Sequence, residues 1–393
     1  MRRCVILRND PCMDIPGLHC DTLHAIGEIP AGQWDALTAG QPFLRHVFLH
    51  ALEASGCVAA ASGWTPIHLV CRQGNDVVGA LPLYLKNHSF GEFVFDWAWA
   101  EAYARTGIDY YPKLVSATPY TPASGPRLLV HPDADATAVT ASLRSAAIRL
   151  AEGMGVSSLH VLFPTDEEAA GWQRMGLLRR QDCQFHWHNH EYGDFDDFLA
   201  SFSAKRRKEA RRERRIAREQ VSIRMITGNE ATPAQWDTMY ALYRRHTLYK
   251  GSPAYLNREC FHLWESNMAD VFRLCLAERD GRIIAGALLV QGPDTLYGRY
   301  WGSFEELPCL HFELCYYAPI EYCIVHKLAR FEAGAQGEHK LGRGLVPVPT
   351  YSMHWIAHPG FRHAIEEFLE RERQGIDHYM QDAQSLTPFR RDS

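Results

Sequence analysis

The sequence predicts an α+β protein built from two similar units. Three observations carry this expectation. His68–Leu81 (HLVCRQGNDVVGAL) aligns without a gap to Cys275–Leu288 (CLAERDGRIIAGAL), 207 positions later. Each copy reads as strand, Gly turn, strand, the signature of a β-hairpin. Similar runs of helix-period and short apolar segments follow both copies. Finally, 393 residues with 46% hydrophobic content suffice for two buried cores.

In the first unit, the helix-period run Ala134–Ala151 carries Val139, Leu143, Ala146, Ala147 and Leu150 on one face. A strand Ser158–Phe163 comes next. A helix Asp166–Met175, capped by Thr165, and a strand Cys183–His190 close the unit. In the second unit a helix spans 195–219 with Asp194 as its cap. The repeated hairpin leads to a strand Thr295–Gly302 and a helix Leu310–Leu328, which Pro319 interrupts. A strand Arg330–Ala333, a loop, a strand Tyr351–Ile356 and a helix Pro359–Gln374 end the pattern. Antiparallel hairpins alternating with helices give helices packed on mostly antiparallel sheets. The expected domains are 25–190 and 191–385, with an extension 1–24 and a tail 386–393.

Composition narrows the function classes. Net charge is 41 − 46 = −5, and no apolar stretch is long enough to span a bilayer. The apolar run Cys4–Leu7 is too short for a signal-peptide core. Eleven cysteines without a C-x-x-C pair read as reduced thiols, so a cytoplasmic protein is expected. Cys4, Cys12 and Cys20 lack histidines at zinc spacing. His186, His188 and His190 would share one strand face, but a polar strand edge accounts for them and no metal is expected.

Two segments carry chemistry. Phe331–Gly344 (FEAGAQGEHKLGRG) sets Glu332, Gln336, Glu338, His339, Lys340 and Arg343 among four glycines. An acid, an imidazole and an ammonium in sequence can move protons and hold an anion. A polar surface connector fits the same composition. The second segment, Lys205–Arg218, holds nine Lys/Arg against Glu209 and Glu213, a local 9 − 2 = +7. It reads either as a solvated helix face or as an anion platform presenting Arg206, Arg207, Arg211 and Arg214. Strand alternation predicts Tyr297, Arg299 and Trp301 on one face and Gly298, Tyr300 and Gly302 on the other. The glycines would admit a substrate or a packed helix. His311, Glu313 and Tyr317 follow, with Glu313 and Tyr317 placed to pair as i,i+4 neighbours.

The segments SFGEFVFDWAW (89–99), YYPKLVSATPYTPASGPRLL (110–129), HWHNHEYGDFDDFLASFSAKRRKEARRERR (186–215), YGRYWGS (297–303), LHFELCYYAPIEYCI (310–324) and FEAGAQGEHKLGRGLVPVPTYSMHWI (331–356) resemble the FemAB-like group of the GNAT N-acyltransferase superfamily. The resemblance implies tandem GNAT-like domains that move an acyl or aminoacyl group onto a small or peptidic amine. It implies a catalytic set Glu338, His339 and Lys340, with Lys340 at the position of the lysine that Fem-type ligases carry after the fifth strand. Tyr297, Arg299, Tyr300, Trp301, His311, Glu313, Tyr317 and Arg343 would line the substrate. No permanently bound cofactor is implied; the donor is aminoacyl-tRNA, contacted through the basic helix, or acyl-CoA. The pyrophosphate loop Q/R-x-x-G-x-G/A of acetyl-CoA GNATs is missing from both Ser303–Cys309 and Thr118–Pro126. Two other functions fit: an acyl-CoA-dependent N-acetyltransferase, or a non-catalytic protein that recognises a cell-wall precursor or RNA.

Overall fold

The computed structural model describes residues 17–251, 254–335 and 337–390; Cys4, Cys12 and Gln336 lie outside the described residues. The chain forms two compact units. One holds residues up to Asp182 together with Thr350–Gln374, and the other Cys183–Pro349 with the residues from Gly375 onward. The expected division at 190/191 shifts because two strands change units along their length.

The first unit runs β1 (Leu18–Leu23), α1 (Ala31–Asp35), α2 (His46–Ala54), β2 (Trp64–Pro66), β3 (His68–Gln73), β4 (Asp76–Leu81), β5 (Tyr84–Lys86), α3 (Trp97–Thr106), β6 (Lys113–Ser116), β7 (Leu129–Val130), α4 (Ala136–Met154), β8 (Ser158–Leu162), α5 (Asp166–Arg174) and the start of β9 (Leu178–His188). The strands β1, β3, β4 and β7 form one sheet, and β2, β5, β6 and β8 lie side by side in another. α4 buries its predicted stripe, Val139, Leu143, Ala146, Ala147 and Leu150. Thr165 caps α5 by accepting from the Glu168 amide.

The second unit continues with α6 (Phe195–Ala200), α7 (Ala204–Arg218), β10 (Ser222–Thr227), α8 (Pro233–Tyr249), α9 (Arg258–Met268), β11 (Phe272–Arg279), β12 (Arg282–Gln291), β13 (Thr295–Ser303), α10 (Leu310–Phe312), a π turn (Glu313–Tyr317), α11 (Ala318–Val325), β14 (Arg330–Glu332), a 3-10 segment (Glu338–Arg343), β15 (Val346–Ile356) and α12 (Pro359–Ser385). The repeat proves structural: β3–β4 and β11–β12 are both antiparallel hairpins, each with one register shift. The exchange of strand ends is reciprocal. The end of β9 pairs with β14 in the second unit, and the end of β15 pairs with β8 in the first. This pairing draws Thr350–Gln374 into the first unit.

Three local readings need correction. The helix expected over 195–219 is two helices. Asp194 caps α6, and the chain breaks before Ser203, where Phe198 and Phe202 turn into the core. The helix Leu310–Leu328 contains a π turn directly ahead of Pro319. A π turn absorbs an extra residue and re-aims the side chains around it. Finally, β13 carries a bulge at Arg299: Leu288 pairs with Tyr300 and Leu289 with Gly298. The extra residue breaks the alternation. Leu296 and Trp301 therefore pack into the same core, while Tyr300 meets the Tyr243 ring of α8 edge-on.

Gly302 settles what its side of β13 admits. A Cβ there would lie 2.1 Å from the Leu242 carbonyl oxygen, so a helix rather than a substrate fills the space. Gly302→Ala should force α8 off the sheet and cost at least about 2 kcal/mol in urea unfolding. A loss below about 0.5 kcal/mol would show that α8 moves freely.

Candidate functional site

β13 and β14 pair in parallel from Thr295–Arg330 to Tyr297–Glu332 and then separate. Beyond the split, the Phe331–Gly344 loop folds back. Gly344 closes it at φ +86, and a Cβ there would sit 2.6 Å from the Phe198 ring. The loop turns Lys340 inward, where it is 1% exposed. Its Nζ donates to the Gly334 carbonyl at 2.6 Å. Burial strips the ammonium of water and pulls its pKa down to about 7, with Cys315 of the π turn beside it. Glu338 and His339 do not share this pocket. Glu338 is exposed and accepts from the Tyr379 hydroxyl at 3.0 Å. The His339 Nε2 lies 2.7 Å from the Tyr316 hydroxyl.

Two acidic anchors fix these elements on α7. Glu213 accepts from Arg343 at 2.7 Å and from the Tyr317 hydroxyl at 2.6 Å. Glu313, fully buried, accepts from Arg214 and from Arg218, both at 2.9 Å. Glu313 and Tyr317 thus bond to α7 rather than to each other, because the π turn lies against that helix. Arg214 is committed to Glu313 and Glu321 and is not part of an exposed platform. Arg211 pairs with Asp196 and Arg206 with Glu209, all exposed; Arg207 reaches toward the Ala200 carbonyl. Arg343 also donates to the His339 carbonyl and stacks 3.3 Å from the Phe312 ring centre.

A cluster of rings extends from the loop to the surface. Trp301 meets His311 at 5.1 Å, and His311 meets Tyr316 at 5.4 Å and His339 at 5.8 Å. Burial lowers His311 to about 4; burial and then Arg343 lower His339. Trp301 and His311 help line a cleft of about 1070 Å³, together with Tyr240, Arg244, Arg245, Leu248, Tyr249 and Lys250. Arg299 lies against the Tyr300 ring, and Tyr297 is buried. His186 sits 4.0 Å from Glu332, and His190 lies past the end of β9. Among the described residues, no group of three or more His, Cys, Asp or Glu side chains is placed to hold a metal.

The sequence reading missed a second buried cluster, in the first unit. Lys113 donates to Ser89 and to Glu92 at 2.9 and 2.8 Å, and also to Asp96. Burial lifts Glu92 to about 7 and drops the nearby Lys86 to about 7. His160 and His354, paired across β8 and β15, meet at 2.7 Å through their Nδ1 atoms. Ser89, Glu92 and Asp96 lie between β5 and α3, and Lys113, His160 and His354 are single polar residues in apolar strands, so neither set gave a periodic signal. The cleft wall from α8 was missed because no helix was read over Pro233–Tyr249.

A family profile described as FemAB-like, peptidoglycan biosynthesis/recognition, matches residues 25–391. The chain belongs to that family. No curated protein matches it in sequence. Among solved structures, this FemAB-like chain is similar to FemX, with 13% identity, 88% of this chain and 100% of that chain covered, and a TM-score of 0.54. It is also similar to a tandem GNAT protein from the clavulanic acid biosynthesis pathway (17% identity, 87% and 99% covered, TM-score 0.44). A third match is L-PGS from Bacillus licheniformis (10% identity, 90% and 99% covered, TM-score 0.49). The FemX match supports the tandem GNAT-like fold. Family membership supports an acyl or aminoacyl transferase in peptidoglycan-related processes. Among the described residues, no helix is long and apolar enough to cross a membrane.

The desolvated Lys340 should cost stability. Its folded pKa lies below the usual 10.5, so the unfolded chain binds the extra proton between about pH 7 and 10.5. The group's contribution therefore rises with pH across that window, and its penalty is full below it. Lys340→Met should raise the melting temperature, by more at pH 6 than at pH 9. A lower melting temperature at pH 6 would show that the ammonium is well solvated.

Proposed function

We propose that the protein transfers an acyl or aminoacyl group onto an amine, with Lys340 as the proton-handling residue. The observation that carries this is a buried amine with a pKa of about 7 where β13 and β14 split. A base works best when its pKa is near ambient pH. In this reading, neutral Lys340 takes the proton that the acceptor nitrogen sheds as it attacks the carbonyl carbon. The resulting ammonium stabilises the oxyanion. As the tetrahedral adduct collapses, the bond to the leaving oxygen or sulfur breaks and Lys340 returns the proton to it. His311 and His339, both neutral near pH 7, position the acceptor and contribute no charge. The acceptor enters through the cleft beside Trp301 and His311, and its class is a small or peptidic amine.

The donor we favour is aminoacyl-tRNA. Glu305 and Glu306 lie in the segment where acyl-CoA enzymes bind pyrophosphate, and that segment lacks their glycine-rich loop. Arg206 approaches Gly342, so phosphates on Arg206, Arg207 and Arg211 would sit beside the site loop. An acyl-CoA donor is the second reading.

The test is transfer to an amine acceptor from each donor in turn. Lys340→Ala should lose about 10² to 10⁴ in rate. The wild-type rate should rise with pH through about 7, as Lys340 loses its proton, and level off above. Lys340→Arg, which stays charged, should abolish that limb. With aminoacyl-tRNA, neutralising Arg206, Arg207 and Arg211 should raise KM and flatten its salt dependence. Wild-type rates in Lys340→Ala would overturn the assignment; transfer from acyl-CoA alone would overturn the donor.

A further inference from the structure

The end of α8, which lines the mouth of the cleft, combines features that acceptor entry beside Trp301 and His311 leaves unexplained. Leu248 is 61% exposed and Tyr249 78% exposed. Each has an arginine one turn behind it, Arg244 and Arg245, at i,i+4 spacing. Lys250 follows, and Leu242–Lys250 contains no acid. Among the described residues, Arg244, Arg245 and Lys250 form no ion pair. Cations at a helix C-terminus complement its dipole, which accounts for part of the charge. It does not account for two adjacent apolar side chains left in water at the same tip. Across the cleft the rim carries a third, Phe304, 41% exposed.

We propose that this tip docks on an anionic lipid surface. One helical turn is about 5.4 Å, so Leu248 and Tyr249 would enter the headgroup boundary while the arginines one turn behind reach the phosphates. Insertion of ~5–10 Å is the depth at which interfacial helices lie. A folded protein partner fits less well: a stable interface buries roughly 800 Å² on each side, more than these three side chains provide. Three cations beside an apolar tip match lipid phosphates better than a protein surface. Docked this way, the cleft mouth faces the bilayer.

The inference does not depend on the transferase reading, and binding alone tests it. The full chain is cosedimented with vesicles of phosphatidylcholine, with and without phosphatidylglycerol. Binding should require phosphatidylglycerol and weaken as salt rises. Leu248→Ser with Tyr249→Ser should weaken it about a hundredfold, and Arg244→Gln with Arg245→Gln on the order of tenfold. These side chains are exposed, and circular dichroism checks that both variants fold. No binding of the wild type at low salt, or equal binding by Leu248→Ser/Tyr249→Ser, would overturn the proposal.

Discussion

The Lys340 ammonium is held where water cannot solvate it, with the Gly334 carbonyl as its acceptor. A fall in pKa from 10.5 to about 7 corresponds to roughly 5 kcal/mol of lost preference for the charged form. A structure sustains such a cost only where its surroundings are fixed. Here they are fixed by α7. Its Glu213 holds Arg343 and Tyr317, and its Arg214 and Arg218 hold the buried Glu313. The loop and the π turn are thereby pinned to one helix, and Lys340 and Cys315 meet between them. The basic helix thus serves two ends: its inward face holds the loop and the π turn, and its outward face stays charged.

The first unit solves a related problem with the opposite outcome. Lys113 is as buried as Lys340, yet its pKa is raised. Burial opposes the charge, but Glu92 and Asp96 outweigh it. One buried lysine is thus locked in its charged form and the other is left able to exchange its proton. Polar residues also face each other across neighbouring strands. His160 faces His354 where β8 meets β15, and His186 faces Glu332 where β9 meets β14.

Much of the fold was legible in the sequence. The repeated hairpin, the α4 stripe and the Thr165 cap rest on local periodicity, and the structure holds all three. What failed depended on tertiary contact. The Arg299 bulge turns Trp301 toward His311, and strand alternation cannot foresee an added residue. The break at Ser201–Ser203 follows from burying Phe198 and Phe202. Arg214 looked free because its partner, Glu313, is 99 residues away. Within Glu338–Lys340, sequence adjacency suggested one cluster. The 3-10 turn instead sends Glu338 to Tyr379, His339 to Tyr316 and Lys340 to the interior. The resemblance pointed to Lys340; its burial is what distinguishes it physically from its neighbours.

The central claim is that Lys340 carries a near-neutral pKa. The most direct measurement is the pH dependence of its reaction with a small amine-selective reagent, read at that residue by mass spectrometry. Reactivity should rise with a midpoint near pH 7, well below the exposed lysines of the same chain. A midpoint near 10.5, shared with those lysines, would contradict the account.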